Sequence, residues 1–362
     1  MIPRARKQTK SVGGVSPPQA AQEARETLGF SAASLLRKAK DAEGRTHVSK
    51  IALVGLGLVG RAWAISFARA RHEVSIWDEQ AEAIDAALAF VNKVLPELDA
   101  NDLLDGEAPL NVRARMRRAG SFEEALEGAT HVQESTPEDL EVKRRVFAAL
   151  DQFAEPDAVL ASSTSAILPS LFTEQLPGRA RCLVVHPINP PYLIPAVEVA
   201  PAPWTAAEVI DATTALFTAA GHAPIVVKRE IDGFIVNRLQ GALLEEAFRL
   251  VADGFATTED VDVALRDGLA LRWSFMGPFE TIDLNAPDGV RDYARRYQSI
   301  YARIFPSMQR RADWEGPAMD GIEAERRARL PADQLGERAV WRDRRLMALA
   351  AHKKRAERDI GK

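Results

Sequence analysis

Residues 51–78 carry the strongest structural signal in the chain, and they read IALVGLGLVGRAWAISFARARHEVSIWD. A short apolar run comes first, and three glycines interrupt the residues that follow it. A helix-like segment then leads to a second apolar run, which ends at Asp78. This order of patterns predicts a strand, a glycine turn, a helix and a second strand, which together form a βαβ unit.

The three glycines and the acid each have a mechanical reason for their positions. Gly55 makes the tight turn, Gly57 lets the backbone approach a pyrophosphate, and Gly60 lets the helix lie close to the strand. Amides in the first turn of the helix then face the phosphates. The Asp78 carboxylate can accept hydrogen bonds from both ribose hydroxyls of an adenosine, and it would repel a 2′-phosphate. The pattern predicts an NAD site; an ordinary βαβ unit with a glycine-rich turn is the alternative.

Composition limits the classes of function. With 362 residues, 46% of them hydrophobic and 27% charged, the chain is long enough for two domains with normal cores. A net charge of -4 argues against nucleic acid or an anionic membrane as a partner. No apolar run is long enough to span a bilayer. The single cysteine, Cys182, cannot form an internal disulfide, so we expect a reducing, cytoplasmic location.

Further along the chain, strand patterns alternate with helix patterns. Strands are predicted at 130–134, 159–161 and 183–185, and helices at 81–94 and 139–150. Pro96 is interpreted as a helix stop, and residues 101–120 as a surface loop or irregular helix. The alternation predicts the α/β class: a doubly wound Rossmann-type parallel sheet, followed by an all-helical C-terminal domain.

Composition shifts suggest four segments. The basic start has no sustained apolar pattern, so we expect a disordered leader with one marginal helix at 18–40; an organelle transit peptide is the alternative. A long helical register begins near residue 233, which places the domain change near residue 230. The expected segments are a leader at 1–48, an NAD-binding domain at 49–229, a helical dimerisation and substrate domain at 230–330, and a helical tail at 331–362 that frays at its end.

Of the six histidines, only His186 follows a buried parallel strand at its carboxyl end, where such sheets hold ligands. Glu198 lies in an apolar run, and a carboxylate there needs a partner. A histidine would serve, since the pair would orient the imidazole and favour its protonated form. Two alternatives remain: a core histidine bonded to backbone, and an edge strand on which Glu198 faces water.

Ser165 and Asn237 are polar residues whose roles physics alone does not decide. Ser165 follows a hydroxyl-rich strand exit and could be a helix cap. Asn237 begins a long helix although an amide is a poor helix former. No residues have metal-ligand spacing, and no Gly-x-Ser-x-Gly motif exists, which argues against metal chemistry and serine hydrolysis.

Several motifs in order resemble the 3-hydroxyacyl-CoA dehydrogenase superfamily over about residues 49–301. They are the glycine turn with Asp78, Glu134-Ser135-Thr136-Pro137-Glu138 with Lys143, Ser162-Ser163-Thr164-Ser165, His186-Pro187-Ile188-Asn189-Pro190, Glu198, and Asp232-Gly233-Phe234-Ile235-Val236-Asn237-Arg238. The resemblance implies a dimer and a set of roles: His186 as catalytic base, Glu198 as its partner, Ser165 and Asn237 as hydrogen-bond donors to the substrate oxygen, and Glu138 and Lys143 near the cofactor.

Within the superfamily the chain is most similar to the lambda-crystallin branch, whose enzymes are L-gulonate 3-dehydrogenases. The similarity rests on residues 190–195, 271–285 and 341–343, while the leader has no counterpart in the family. It implies NAD-dependent oxidation of the 3-hydroxyl of a small hydroxy acid. The alternatives are a 3-hydroxyacyl-CoA dehydrogenase, a carnitine-type 3-dehydrogenase and a non-catalytic crystallin-like protein, which would not need the catalytic residues. Arg272 could bind the substrate carboxylate or be an ordinary surface residue.

Overall fold

The structure, a computed structural model, describes residues 48–361, so the predicted leader and its helix lie outside the described residues. The chain divides into two compact units, of which the first ends at Phe234 and the second begins at Ile235. The first unit contains an eight-stranded sheet whose strand order is β3-β2-β1-β4-β5-β6-β7-β8. Its strands are β1 Lys50–Val54, β2 Glu73–Trp77, β3 Met116–Arg118, β4 His131–Glu134, β5 Val159–Ser162, β6 Cys182–Pro187, β7 Ala196–Pro201 and β8 Ala223–Val226.

Helices connect these strands in the first unit, except between β6 and β7. They are α1 Leu58–Arg69, α2 Ala81–Ala100, α3 Pro109–Ala114, α4 Phe122–Leu126, α5 Leu140–Phe153, α6 Pro169–Thr173 and α7 Ala207–Ala219, with a 3₁₀ turn at Arg179–Arg181. The second unit is helical. It contains α8 Val236–Ala252, α9 Thr258–Val263, a π-helical segment Ala264–Leu269, α10 Ala270–Trp273, α11 Pro278–Leu284, α12 Gly289–Ile304, α13 Pro317–Arg329 and α14 Leu335–Ile360, with 3₁₀ turns at Ser307–Gln309 and Ala332–Gln334. The predicted fold class is confirmed.

Strands β1 and β4 are neighbours in the sheet, and β1 pairs with β2 on its other side. The strand order therefore runs outward from β1 to β3 in one direction and from β4 to β8 in the other, so it reverses between β1 and β4. Every pair of strands is parallel except β6 and β7, which are antiparallel. Helices cover both faces, so the central strands are buried runs of apolar residues such as Ile51–Val54. Ligands of doubly wound sheets bind at the reversal point, beyond the carboxyl ends of the strands.

The predicted stop at Pro96 is wrong, because α2 continues through it to Ala100. Pro96 itself is exposed, whereas Leu95 and Leu98 on either side are completely buried. Burial of these two side chains offsets the hydrogen bond that a proline removes from a helix interior. The helix ends at Asn101, whose side-chain amide donates to the carbonyl of Glu97 at 2.8 Å.

The stretch at 101–120, which was expected to be a surface loop or an irregular helix, contains α3 and the edge strand β3. Helix α3 has a proline in its first turn, a common position because the missing N–H has no partner there. Strand β3 has the sequence MRR and pairs with β2; Met116 is buried and both arginines are exposed. A three-residue edge strand with two charges carries no apolar run, so periodicity could not reveal it.

Glu198 lies on an inner strand, because β7 is paired with both β6 and β8. Its side chain is completely buried, so the alternative of an edge strand with Glu198 facing water is wrong. Cys182 is the first residue of β6 and is completely buried, and burial raises the pKa of its thiol above the ordinary value.

In the second unit, the N-cap of α9 is Thr257. Its hydroxyl accepts from the Asp260 amide and the Asp260 side chain accepts from the Thr257 amide, which is a capping box. Residues 285–288 separate α11 from α12. Helix α14 continues to Ile360. No helix among residues 48–361 is both long and apolar enough to cross a membrane.

Candidate active site

The glycine turn after β1 has the shape that a dinucleotide requires. Gly55 has a φ of +90°, and a Cβ there would lie 2.7 Å from the Ser135 backbone. A Cβ on Gly60 would lie 1.9 Å from the Gly55 carbonyl oxygen, whereas Gly57 has open space around it. The first and third glycines therefore allow close packing, and the second leaves room for a pyrophosphate to approach the backbone.

Asp78 is held by the backbone on both sides of its carboxylate. One oxygen accepts from the Leu56 amide at 2.7 Å, and the other accepts from the Gln80 amide at 2.9 Å. The side chain is half-buried at the end of β2. Because an ionised carboxylate has about four acceptor positions, two remain for the ribose hydroxyls. The residues of the turn and Asp78 thus fit NAD.

Beneath the loop after β4, the structure contains a buried ion pair between Lys143 and Glu134. The ammonium of Lys143 lies 2.8 and 3.0 Å from the two Glu134 oxygens and also donates to the Thr136 carbonyl. Ser162 donates to Glu134 at 2.6 Å from the neighbouring strand. Lys143, which the resemblance places near the cofactor, is therefore engaged by the protein itself. No role was predicted for Glu134, although the polar residues Ser135 and Thr136 follow it.

Glu138 holds the loop that carries Ser165. One of its carboxylate oxygens accepts from the Thr164 hydroxyl at 2.6 Å and from the amides of Ser165 and Ala166 at 3.0 and 3.1 Å. These bonds fix the backbone after β5 at the carboxyl edge of the sheet. The Ser165 side chain is exposed at that edge.

His186 and Glu198 face each other directly across the antiparallel strands β6 and β7. The ring Nδ1 lies 2.7 Å from a Glu198 oxygen; Glu198 is completely buried and His186 is 5% exposed. Since a carboxylate only accepts, Nδ1 carries the hydrogen, and Nε2 of the neutral ring has the basic lone pair. This pair can orient an imidazole for proton transfer at Nε2.

Phe234 packs against the His186 ring, with centroids 5.6 Å apart. The phenyl group is completely buried, and its backbone has a φ of +47°. A bulky residue in this conformation is strained, so the surrounding contacts must hold it there. Sequence reasoning missed this residue; the preceding Gly233, with a φ of +75°, was the available signal for an unusual turn.

The second unit contains the other two predicted site residues. Asn237 is the second residue of α8, and Arg272 is an exposed residue of α10 with an electrostatic interaction with Tyr293. The first unit brings His186 and Glu198 together; the roles of Asn237 and Arg272 stay predictions. Among residues 48–361, no group of three His, Cys, Asp or Glu side chains could hold a metal ion.

Comparison with known proteins covers both units. Residues 50–231 match the model of the 3-hydroxyacyl-CoA dehydrogenase NAD binding domain, and residues 233–317 match the C-terminal domain of the same family. The lambda-crystallin homolog of Bos taurus is 40% identical over 85% of this chain and 96% of its own. An L-carnitine dehydrogenase of Pseudomonas sp is 40% identical over 70% of this chain and 78% of its own.

A solved structure has a similar fold. The 5-formyl-3-hydroxy-2-methylpyridine 4-carboxylic acid 5-dehydrogenase, an NAD⁺-dependent dismutase, aligns with a TM-score of 0.72 and 26% identity over 83% of this chain and 97% of its own. The two family matches cover both units, and the glycine turn and Asp78 fit the cofactor of that family. The chain belongs to the 3-hydroxyacyl-CoA dehydrogenase family and is an NAD-dependent oxidoreductase that acts on CH–OH groups.

Proposed function

We propose that this enzyme oxidises the 3-hydroxyl of a small hydroxy acid, a sugar acid such as L-gulonate, to the 3-keto acid. The buried pair of His186 and Glu198 at the carboxyl edge of the sheet carries the proposal. The similarity to lambda-crystallin homologues over most of the chain supports the choice of substrate class, because the branch that the sequence resembles contains L-gulonate 3-dehydrogenases.

In this proposal His186 is the general base. Its Nε2 removes the hydroxyl proton of the substrate, while Glu198 at Nδ1 stabilises the imidazolium that forms. NAD, when bound, accepts the hydride from C3 of the substrate. Proton and hydride leave together as the C–O bond becomes a carbonyl, so the products are the 3-keto acid, NADH and a protonated histidine.

Ser165 and Asn237 are proposed to hydrogen-bond the substrate oxygen. Support for Ser165 comes from the three bonds by which Glu138 fixes its loop. A hydroxyl and an amide can both donate to an oxygen that gains negative charge as its proton leaves. Support for Asn237 is the resemblance alone, because this residue lies in the second unit.

Arg272 is proposed to bind the substrate carboxylate. Its planar guanidinium can hold a carboxylate by two parallel hydrogen bonds, and it is exposed and available for a ligand. A small hydroxy acid has few atoms for orientation, so one such contact would supply much of its binding energy. An acyl-CoA would instead rely on contacts along its pantetheine and nucleotide.

Steady-state kinetics on three substrates tests the proposal. We expect kcat/KM to be highest for L-gulonate and lower for L-carnitine and 3-hydroxybutyryl-CoA. Arg272→Lys keeps the charge but loses the planar group, and should raise KM for L-gulonate about tenfold. Arg291→Lys, at another exposed arginine of the second unit, is the control and should leave KM unchanged. Preference for the thioester, or an unaltered KM in Arg272→Lys, would end the proposal.

Oxidation of L-carnitine is the second candidate function. The observation that favours it is the 40% identity to an L-carnitine dehydrogenase over 70% of the chain. L-Carnitine also has a 3-hydroxyl and a carboxylate, but adds a quaternary ammonium group. The same kinetic comparison decides between the two candidates, because only a carnitine enzyme would prefer the cationic substrate.

We also propose a homodimer formed through the second unit. Large apolar side chains on its helices and in the connections between them are more than half exposed, including Leu239, Phe255, Leu271, Phe275, Phe279 and Leu284. Exposed apolar surface on this scale is typical of protein interfaces, and an obligate dimer would bury more than about 2,000 Å². A monomer in light scattering at micromolar concentration would contradict the proposal.

A cytoplasmic location is proposed as well. It is supported by the one cysteine, Cys182, which is buried as a thiol on β6 and needs no oxidising compartment. Cell fractionation of the source organism is the test, and recovery with an exported fraction would contradict it.

A further inference from the structure

Below the glycine turn, a buried hydrogen-bond network connects the helix α1 with three strands of the sheet. Its centre is the Ser163 hydroxyl, which lies 3.0 Å from Trp63 Nε1, 2.7 Å from Gln133 Nε2 and 2.9 Å from the Ser135 hydroxyl. On the far side, Gln133 Oε1 lies 3.0 Å from His131 Nε2. Trp63, Gln133 and His131 are almost completely buried.

The directions of these hydrogen bonds follow from the chemistry of the partners. The orientation of the Gln133 side-chain amide follows from the Val185 carbonyl oxygen, which can only accept a hydrogen bond and lies 3.4 Å from Nε2. The NH₂ group must therefore be on this side of the amide. Its oxygen then faces His131, and the histidine donates from Nε2. Burial lowers the pKa of His131 to about 4, so the ring is neutral and supplies this single N–H.

Ser163 must therefore donate to Ser135. A hydroxyl has one hydrogen and two lone pairs, and the N–H groups of Trp63 and Gln133 use both lone pairs of Ser163. The hydrogen that remains has the Ser135 oxygen as its acceptor, at 2.9 Å. The Ser135 hydroxyl is thereby used as an acceptor, and its own hydrogen is directed to another partner.

Ser135 lies against the glycine turn. Its backbone is 2.7 Å from where a Gly55 Cβ would be, and its Cβ is 3.6 Å from where a Gly60 Cβ would be. The side chain is partly exposed at the point where the strand order reverses. Amides in the first turn of α1 would face the phosphates of a bound NAD in this arrangement, so phosphate oxygens would be acceptors within the surroundings of the Ser135 hydroxyl.

We propose that the Ser135 hydroxyl donates a hydrogen bond to a pyrophosphate oxygen of NAD, and that Ser163 is the positioning residue that orients it. This inference concerns the cofactor site and does not depend on which hydroxy acid is the substrate. Trp63 and Gln133 act one step further away, because they fix the direction of the Ser163 hydrogen.

Calorimetric titration of the full-length enzyme with NADH, ADP and adenosine tests the contact. Ser135→Ala should lower the affinity for NADH and for ADP about tenfold or more, because the lost hydrogen bond has a charged acceptor. The affinity for adenosine, which has no phosphate, should be unchanged. Ser135→Thr retains the hydroxyl and should bind within about threefold of wild type. Equal affinities of wild type and Ser135→Ala for ADP would overturn the proposal, as would weakening confined to NADH, which would place the contact on the nicotinamide ribose.

Ser163→Ala tests the positioning role. It should lower the affinity for ADP several-fold, because the Ser135 hydroxyl loses the donor that orients it. The affinity for adenosine should stay the same. Ser66→Ala is the matched control: Ser66 is a fully buried serine of α1, and should leave ADP affinity unchanged. Wild-type ADP affinity in Ser163→Ala would overturn the positioning role. Ser135→Ala changes a partly exposed side chain, so it tests the contact even if Ser163→Ala does not fold.

Discussion

Asp78 should make the enzyme prefer NAD over NADP by about tenfold or more. The carboxylate is fixed by two backbone amides, so it cannot turn away from a 2′-phosphate. The loss of the ribose bonds and the added repulsion correspond to roughly 1.5–3 kcal/mol. Kinetics with both cofactors measure the ratio, and Glu79→Gln, at the exposed neighbouring acid, should leave it unchanged. Equal turnover with NADP would contradict the role of Asp78.

His186→Gln should lower kcat by about 10²–10⁴, because no other group takes the hydroxyl proton. NADH affinity should remain close to that of the wild type, since His186 belongs to the substrate side of the proposed site. Glu198→Gln should also lower kcat, because a neutral amide does not stabilise the imidazolium. Stopped-flow and steady-state rates with L-gulonate measure both effects. Wild-type kcat in His186→Gln would show that the base is another residue.

At the residue scale, sequence reasoning found the residues that have a chemical signature of their own. Asp78 follows a glycine turn, and His186 and Glu198 are polar residues in apolar strands. Phe234 and Glu134 gave no such signature. Phe234 is an apolar residue whose contact with His186 depends on a left-handed backbone, and the Glu134 partners Lys143 and Ser162 come from two other elements. Such contacts exist only after the chain has folded.

At the scale of elements, Pro96 offers a test of how α2 is stabilised. Pro96→Ala should raise the free energy of unfolding by about 1–3 kcal/mol, because alanine restores an N–H to the helix interior and removes a ring clash. The site is exposed, so no packing is lost. Urea unfolding measures the change, with Ala100→Gly, at the last residue of α2, expected to destabilise slightly. A less stable Pro96→Ala would show that the ring makes a needed contact.

Elements with strong periodicity could be predicted from the sequence, and weakly patterned ones could not. Strand β1, helix α1 and the long helix α8 have sustained apolar patterns. The edge strand β3 has only three residues, and the antiparallel direction of β7 depends on the short connection after β6. Neither the pairing of a charged edge nor the direction of a strand is encoded in local periodicity.

At the scale of the whole molecule, buried histidines should make folding sensitive to acid. Burial lowers the pKa of both His131 and His222 to about 4 from an ordinary 6.5. As pH falls from about 6.5 to about 4, the unfolded chain binds protons that the native state does not, so stability decreases through this window. Between about pH 7 and about pH 5, the free energy of unfolding decreases by about 2 kcal/mol per histidine.

His222→Phe isolates one contribution to this acid sensitivity. The new ring can occupy the place of His222 beside Trp63 and Phe217, although the bond to the Pro195 carbonyl is lost. Urea unfolding at fixed protein concentration should show a lower stability at neutral pH but a smaller loss between about pH 7 and about pH 5. An unchanged loss would mean that His222 is not buried as a neutral ring.

Oxidation at C3 is tested most directly with L-gulonate that carries deuterium at C3. If the enzyme oxidises the 3-hydroxyl, the deuterium leaves C3 as the hydride equivalent and is recovered in the reduced cofactor, while the product is unlabelled 3-keto acid. Mass spectrometry of NADH and of the product after one turnover reads both outcomes. Oxidation at C3 predicts labelled NADH; unlabelled NADH with deuterium retained in the product, or no NADH at all, would contradict the proposed function.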